Sequence, residues 1–138
     1  LGDHNRCGGW PVGIGNPLFT NKRLGTIVLR DEAISTSGSN IQYFRVKGQR
    51  FGHILDPRTG RPADGTLSVT AIAPSATQAD ALSTAFYVMG AKRTREYCLE
   101  NPEIGAIVVP LPTSDRRVKP LVYGIDVERI YWDSSQVK

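Results

Sequence analysis

Leu67-Ser68-Val69-Thr70-Ala71-Ile72-Ala73-Pro74-Ser75-Ala76-Thr77-Gln78-Ala79-Asp80-Ala81-Leu82-Ser83-Thr84-Ala85 decides the fold, because it holds a strand, a stop and a helix start in one run. Residues 67–73 alternate in polarity, which predicts a β-strand with one face packed and the other less buried. Pro74 ends that strand. Ser75 with Gln78 three residues on reads as a capping box at a helix start. Residues 76–89 are rich in Ala, with Leu82 among them, and Gly90 supplies a C-terminal stop. A second helix is predicted over 92–99, ending at Asn101-Pro102.

Outward from this core the chain reads mostly as strands. Residues 104–109 form a short apolar run of the buried-strand type. Residues 24–29 read as a strand, 30–32 as a turn, and 33–36 as a short strand running into Ser37-Gly38-Ser39-Asn40. Residues 41–46 and 50–55 flank Lys47-Gly48-Gln49, which predicts a hairpin with His53 near the end of its second strand. The first 23 residues are broken by Gly, Pro and Asn, leaving 10–14 as an extended piece for a sheet edge. Residues 113–119 read as a polar loop, and 120–123 with 127–132 as a closing hairpin or meander. The expected result is one α+β domain over 1–138, a mostly antiparallel sheet packed against two helices. Two helices do not cover both faces of a long parallel sheet. No Gly-x-Gly-x-x-Gly run bridges a strand and a helix, which disfavours a dinucleotide-binding βαβ fold.

A chain of 138 residues is long enough for one real core. It contains no apolar run near the roughly 20 residues of a transmembrane helix. Leu1-Gly2-Asp3-His4-Asn5-Arg6 is not a signal peptide; a chain beginning without Met is expected to be processed or part of something longer. The net charge of +4 is mild. Arg58 and Arg61 suit a small anionic substrate, while Lys92, Arg93 and Arg95 read as a solvated helix face. Nucleic acid is not an expected partner, for lack of a motif or a basic stripe with aromatic platforms. Cys7 and Cys98 are too few for a metal knuckle and read as free thiols or one disulfide.

Two constellations can carry chemistry. Asp80 and Thr84 lie at i and i+4 on one helix face. A carboxylate in a largely apolar helix needs a partner, and a magnesium ion is one: Asp80 would anchor it and Thr84 add a hydroxyl. The plain alternative is a first-turn Asp favoured by the helix dipole, with Thr84 bonding back along the helix. The second constellation is His53-Ile54-Leu55-Asp56-Pro57-Arg58-Thr59-Gly60. On one reading Asp56-Pro57 opens a turn closed by Gly60, and His53 fills space. On the other, His53 or Asp56 orients or deprotonates an attacking hydroxyl, while Arg58 and Thr59 donate to phosphate oxygens. Thr36, Ser37 and Gly38 follow a strand end and read either as an anion cradle or as a solvated turn. They are not a Walker loop, since no Gly-Lys-Ser/Thr ending is present. Tyr43 and Phe44 read as packing residues rather than a flavin platform. Neither Ser37 nor Ser83 sits in a nucleophile elbow.

Four blocks in series resemble the C-terminal half of the ApbE-type family, the FAD:protein FMN transferases. They are Ala33-Ile34-Ser35-Thr36-Ser37-Gly38, His53 to Gly60, Ser68-Val69-Thr70-Ala71-Ile72-Ala73, and Ala79-Asp80-Ala81-Leu82-Ser83-Thr84-Ala85 through Met89-Gly90. Trp10-Pro11-Val12-Gly13-Ile14 and Asn16-Pro17 extend the likeness. The resemblance implies binding of FAD and Mg²⁺, and transfer of FMN to a Thr or Ser hydroxyl of a target flavoprotein with release of AMP. By motif, it implies Asp80 and Thr84 as metal ligands, and His53 and Asp56 as the active-site turn, His53 the nearer to acceptor activation. It implies Thr36, Ser37 and Gly38 as part of the flavin-nucleotide site. The family's N-terminal half, with a Lys-Gly segment and a backbone oxygen for the metal, has no counterpart here. Asp3 matches a Gly-Gly-Asp-like turn only imperfectly. The site is therefore expected to need a missing N-terminal segment or a second chain. The alternatives are a flavin-binding or trafficking module without catalysis, and a pyrophosphatase giving FMN and AMP. The resemblance also implies a periplasmic or membrane-anchored setting through an absent N-terminal region, with the cytoplasm as the other possibility.

Overall fold

The computed structural model describes residues 8–38, 43–112 and 118–137. In chain order they form β1 (Trp10–Gly15), β2 (Arg23–Leu29), β3 (Ala33–Gly38), β4 (Tyr43–Val46), β5 (Gln49–Gly52), β6 (Leu55–Asp56), β7 (Arg61–Pro62), β8 (Thr66–Ala73), α1 (Ala76–Glu100), β9 (Gly105–Pro110), β10 (Leu121–Tyr123), a 3₁₀ turn (Val127–Arg129) and β11 (Ile130–Trp132). One antiparallel sheet has the order β10-β9-β8-β3, and a second has the order β1-β2-β11. The α+β, mostly antiparallel architecture expected from the sequence is present.

The central strand β8 departs from the expected one-sided strand. All of it is buried except half-buried Leu67. Val69, Ala71 and Ala73, with Ala106 and Val108 of β9, pack toward Ala79, Phe86 and Tyr87 of α1. Ile72, with Ile107 and Val109, packs toward Leu24, Ile27, Leu29 and Ile130 of the second sheet. The alternation is real, but it sorts residues between two cores rather than between core and solvent. Three layers result: helix, four-stranded sheet, three-stranded sheet. The helix alone could not have buried both faces.

The expected two helices join as one element, α1, broken inside by Gly90 at φ 76 and ψ 175. Ser75 caps its start in extended conformation, with Oγ accepting from Gln78 N at 3.2 Å. Its end is closed by Asn101, whose backbone N donates to Tyr97 O at 3.0 Å. At the break Thr94 Oγ1 donates to Gly90 O at 2.9 Å, compensating the interrupted ladder.

Other boundaries shift for local reasons. β4 and β5 turn on two residues, Lys47 at φ 48 and Gly48 at φ 80, the primed geometry that suits hairpin twist. The second strand stops at Gly52, so His53 sits in a bend rather than in the strand. Tyr43 and Phe44 are exposed rather than packed inside, although Phe44 stacks on Phe51 with ring centroids 5.5 Å apart. The last strands form no closing hairpin. β10 pairs with β9, and β11 pairs with β2 in the other sheet. Asp126 caps the intervening 3₁₀ turn by accepting from Glu128 N at 3.0 Å, which redirects the chain from one sheet to the other. β1 is an edge strand, as expected. Cys98 is a free, buried thiol, pushed up to about 11 by burial, and Cys7 lies outside the described residues, as does Asp3.

Candidate functional site

β3 is the outer strand of its sheet and runs beside α1. Strand alternation gives its odd residues one face and its even residues the other. Ser35 Oγ donates to Asp80 Oδ1 at 2.9 Å. Ser37 Oγ lies 2.8 Å from Ser83 Oγ and 3.0 Å from Thr84 Oγ1. Thr36 turns the other way and bonds Thr70 Oγ1 at 2.8 Å. The expected Thr36, Ser37 and Gly38 cradle is therefore not a turn. These residues belong to β3 and pair with Thr70, Val69 and Ser68, and the side chains of Thr36 and Ser37 serve opposite faces.

Asp80 and Thr84 are both exposed, because the helix face that carries them looks along the sheet edge. Asp80 thus escapes the desolvation that an apolar helix seemed to impose. It also lies beyond the first helical turn, which holds no acidic residue, so the helix-dipole explanation does not apply. Part of the plain alternative for Thr84 is present: its Oγ1 is 3.5 Å from Asp80 O, at the limit of a hydrogen bond. Ser83 Oγ makes the better back-bond to Asp80 O, at 2.9 Å.

The helix line 80, 84 continues at Val88, and there the second constellation arrives. Arg58 Nη2 lies 3.4 Å from Val88 O, just before the Gly90 break. The turn that carries Arg58 is closed by Gly60 N and Thr59 N, which donate to Asp56 O at 2.8 and 3.1 Å. Gly60, at φ +67, supplies the left-handed residue that this closure requires. Asp56 receives Arg58 N and Nε on Oδ1, both at 2.9 Å, and Arg58 Nη2 on Oδ2 at 2.7 Å. These donors hold its carboxyl down at about 2, the Arg58 side-chain bonds contributing most. Thr59 Oγ1 accepts from Arg61 N at 3.2 Å. Arg58 and Thr59, expected to face phosphate, are engaged within their own turn here. Buried Ile54 anchors the segment, with Ala63 N donating to Ile54 O at 2.9 Å and exposed His53 directly before it.

Among the described residues no group of three or more His, Cys, Asp and Glu side chains could hold a metal ion. The donors that do converge are one exposed carboxylate and several hydroxyls. That set suits a hard cation that keeps waters and substrate phosphates in its shell, and it does not suit a soft transition metal. Helical spacing points to Asp80 and Thr84, but it does not point to Ser35 or to the back-bonding part of Ser83. The i, i+2 spacing of Ser35 and Ser37 was the available signal.

Fold and site together define an α+β protein with a cluster of hard oxygen donors between an edge strand and a helix. The chain belongs to the ApbE family, whose model matches residues 1–108. It is 40% identical over 89 residues to the FAD:protein FMN transferase of Escherichia coli K12, covering 63% of this chain and 25% of that protein. It is 36% identical over 123 residues to the Treponema pallidum FAD:protein FMN transferase, covering 88% of this chain and 33% of that one. Among solved structures, the ApbE protein of Thermotoga maritima matches with a TM-score of 0.69 at 40% identity, over 79% of this chain and 36% of that one. The Pseudomonas stutzeri flavinyl transferase ApbE matches with a TM-score of 0.67 at 29% identity, over 88% of this chain and 36% of that one. The chain thus spans a quarter to about a third of these relatives' lengths.

Proposed function

We propose that this chain is the C-terminal portion of a magnesium-dependent flavin transferase, which moves FMN from FAD to a Thr or Ser hydroxyl of a target flavoprotein and releases AMP. One observation carries the reading. Asp80, Thr84 and the carbonyl of Val88 lie one helical turn apart in succession, and they meet β3 and the His53–Gly60 segment in that order. The names of the relatives support flavin as the cargo.

In this scheme the acceptor oxygen attacks the FMN phosphorus, its bond to the AMP oxygen breaks, and AMP leaves with that oxygen. His53 takes the hydroxyl proton on a ring nitrogen, the general-base part that histidine most often plays. Asp56, with its carboxyl at about 2, is a weak base; its part is to fix the turn through Arg58. Asp80 and Thr84 hold Mg²⁺, which when bound offsets charge on the pyrophosphate and the departing phosphate. Gly38 and the backbone of Ser37 border the nucleotide, while the Ser37 hydroxyl is engaged with α1 and Thr36 supports the strand from its other face through Thr70. The partial span of the relatives supports a pocket completed by further chain or by a second chain.

The test is chromatographic. FAD and Mg²⁺ are incubated with the protein, with and without a Thr-containing acceptor peptide, beside EDTA and Asp80→Ala controls. FMN on the acceptor with matching AMP establishes the transferase. FMN and AMP without acceptor labelling would make it a pyrophosphatase. Saturable flavin binding without AMP would make it a binding module.

A further inference from the structure

A hydroxyl has one proton to give and two lone pairs to receive. Ser83 gives its proton to Asp80 O, at 2.9 Å. Ser83 is therefore the acceptor in its 2.8 Å contact with Ser37. Ser37 has then spent its own proton, so in its 3.0 Å contact with Thr84 it must accept, and Thr84 gives its single proton to Ser37 rather than across the longer 3.5 Å contact to Asp80 O. The protons run in one direction, from Thr84 to Ser37 to Ser83 to the backbone oxygen of Asp80. Thr84 gives its proton inward and keeps lone pairs for a ligand. Asp80 cannot donate as a carboxylate, so Ser35 donates to it at 2.9 Å and fixes the rotation of that group.

The spacing makes this a paired device. Two residues of a strand advance about 6.5 to 7 Å, and four residues of a helix about 6 Å. Ser35 and Ser37 therefore stay level with Asp80 and Thr84 where β3 packs beside α1. Ser35 and Ser37 are half-buried while Asp80 and Thr84 are exposed, so the serines stand behind the ligand groups, away from solvent.

We propose that Ser35 and Ser37 are positioning residues that orient the Asp80 carboxylate and the Thr84 hydroxyl toward a divalent cation. This rests on the metal reading of Asp80 and Thr84 above. Neither serine touches the cation. Each supplies the hydrogen-bond partner that a ligating oxygen needs to hold its direction. Ser37 thus acts through Thr84 rather than as a nucleophile.

The test uses isosteric pairs in the full chain: Ser37→Thr against Ser37→Val, and Ser35→Thr against Ser35→Val. Each pair differs by a hydroxyl alone, and β-branched residues suit a strand. Mn²⁺ binding is read by the electron paramagnetic resonance of free Mn²⁺, with thermal unfolding measured beside it. The Val variants are expected to bind Mn²⁺ about tenfold or more weakly, and the Thr variants within about threefold of the parent. Equal affinity in both members of both pairs, with Asp80→Ala still abolishing binding, overturns the positioning role and leaves the metal site standing. No Mn²⁺ binding by the parent, or parent-like binding by Asp80→Ala, overturns the metal reading and this inference with it. A loss of melting temperature shared by Thr and Val members, without a difference in Mn²⁺ affinity, assigns the serines to packing and also overturns it.

Discussion

Arg58 holds Asp56 from two directions, with its backbone N and its side-chain Nε both 2.9 Å from one carboxylate oxygen and Nη2 2.7 Å from the other. The pair closes a turn whose far side touches α1 at Val88 O. It therefore links the His53 segment to the helix that carries Asp80. A bidentate guanidinium fixes direction as well as distance, which a lysine would not do.

This pair gives the protein an acid-sensitive element. The folded Asp56 carboxyl sits at about 2, below the ordinary 3.8. As pH falls, the unfolded chain takes up that proton first. The stabilisation is fully present above the ordinary value and drains away as pH drops from there toward 2. In Arg58→Gln the carboxyl should rise partway, because the backbone N–H of residue 58 still donates. Carbon-detected NMR titration of Asp56 reads this directly. An unchanged titration would assign the whole effect to the backbone bond.

Gly90 breaks α1 at φ 76 and ψ 175, a region that only glycine occupies readily. Among the described residues, no atom beyond its chain neighbours and the adjoining helix backbone lies within 4 Å of where a Cβ would stand, so a side chain has open space there. The cost of Gly90→Ala is therefore backbone strain alone, about 1–3 kcal/mol. Denaturant unfolding measures it. A cost near zero would mean that the helix straightens through this position when glycine is removed.

Phe86 is fully buried and meets Tyr97 edge to face at 5.3 Å across the Gly90 break. That contact fixes how the two halves of α1 lie together on the sheet. Phe86→Ala should cost about 3–5 kcal/mol. Urea unfolding followed by far-ultraviolet circular dichroism reads the loss. A cost below about 1 kcal/mol would show that neighbouring side chains collapse into the space.

The elements of this fold were largely legible because their signals are local. Ser75 announces the helix, Gly90 announces its break, and Pro74 ends β8. The second sheet was hidden because it depends on long-range pairing. Nothing near Ile130 says that it will register with Ile27 rather than fold back on β10. β8 misled for the same reason: its small polar residues Ser68 and Thr70 look solvent-facing, yet both are buried. In the candidate site, the one-turn relation of Asp80 and Thr84 follows from helical spacing. That of Ser35 to Asp80 does not, because it spans 45 residues and rests on the β3–β8 register. The engagement of Arg58 with Asp56 was missed because opposite charges two residues apart meet only when the turn brings them round.

Asp80→Asn separates the structural duty of this residue from its chemical one. Asn keeps the side-chain shape and an oxygen that still accepts from Ser35, which now bonds Asp80 at 2.9 Å. Asp80 is exposed, so the folded state loses little. Stability should change by no more than about 0.5 kcal/mol, a shift of roughly 2 °C in melting temperature. The charge is gone, however, and with it the main attraction for a hard cation. On the transferase reading proposed above, AMP release from FAD should fall at least about a hundredfold, which corresponds to roughly 2.7 kcal/mol of lost transition-state stabilisation. Raising the concentration of Mn²⁺ should recover part of that loss, because the hydroxyl of Thr84 and the substrate phosphates remain. A variant that melts normally and releases AMP at the parental rate would leave Asp80 as a strand-to-helix contact and require the cation to be held elsewhere.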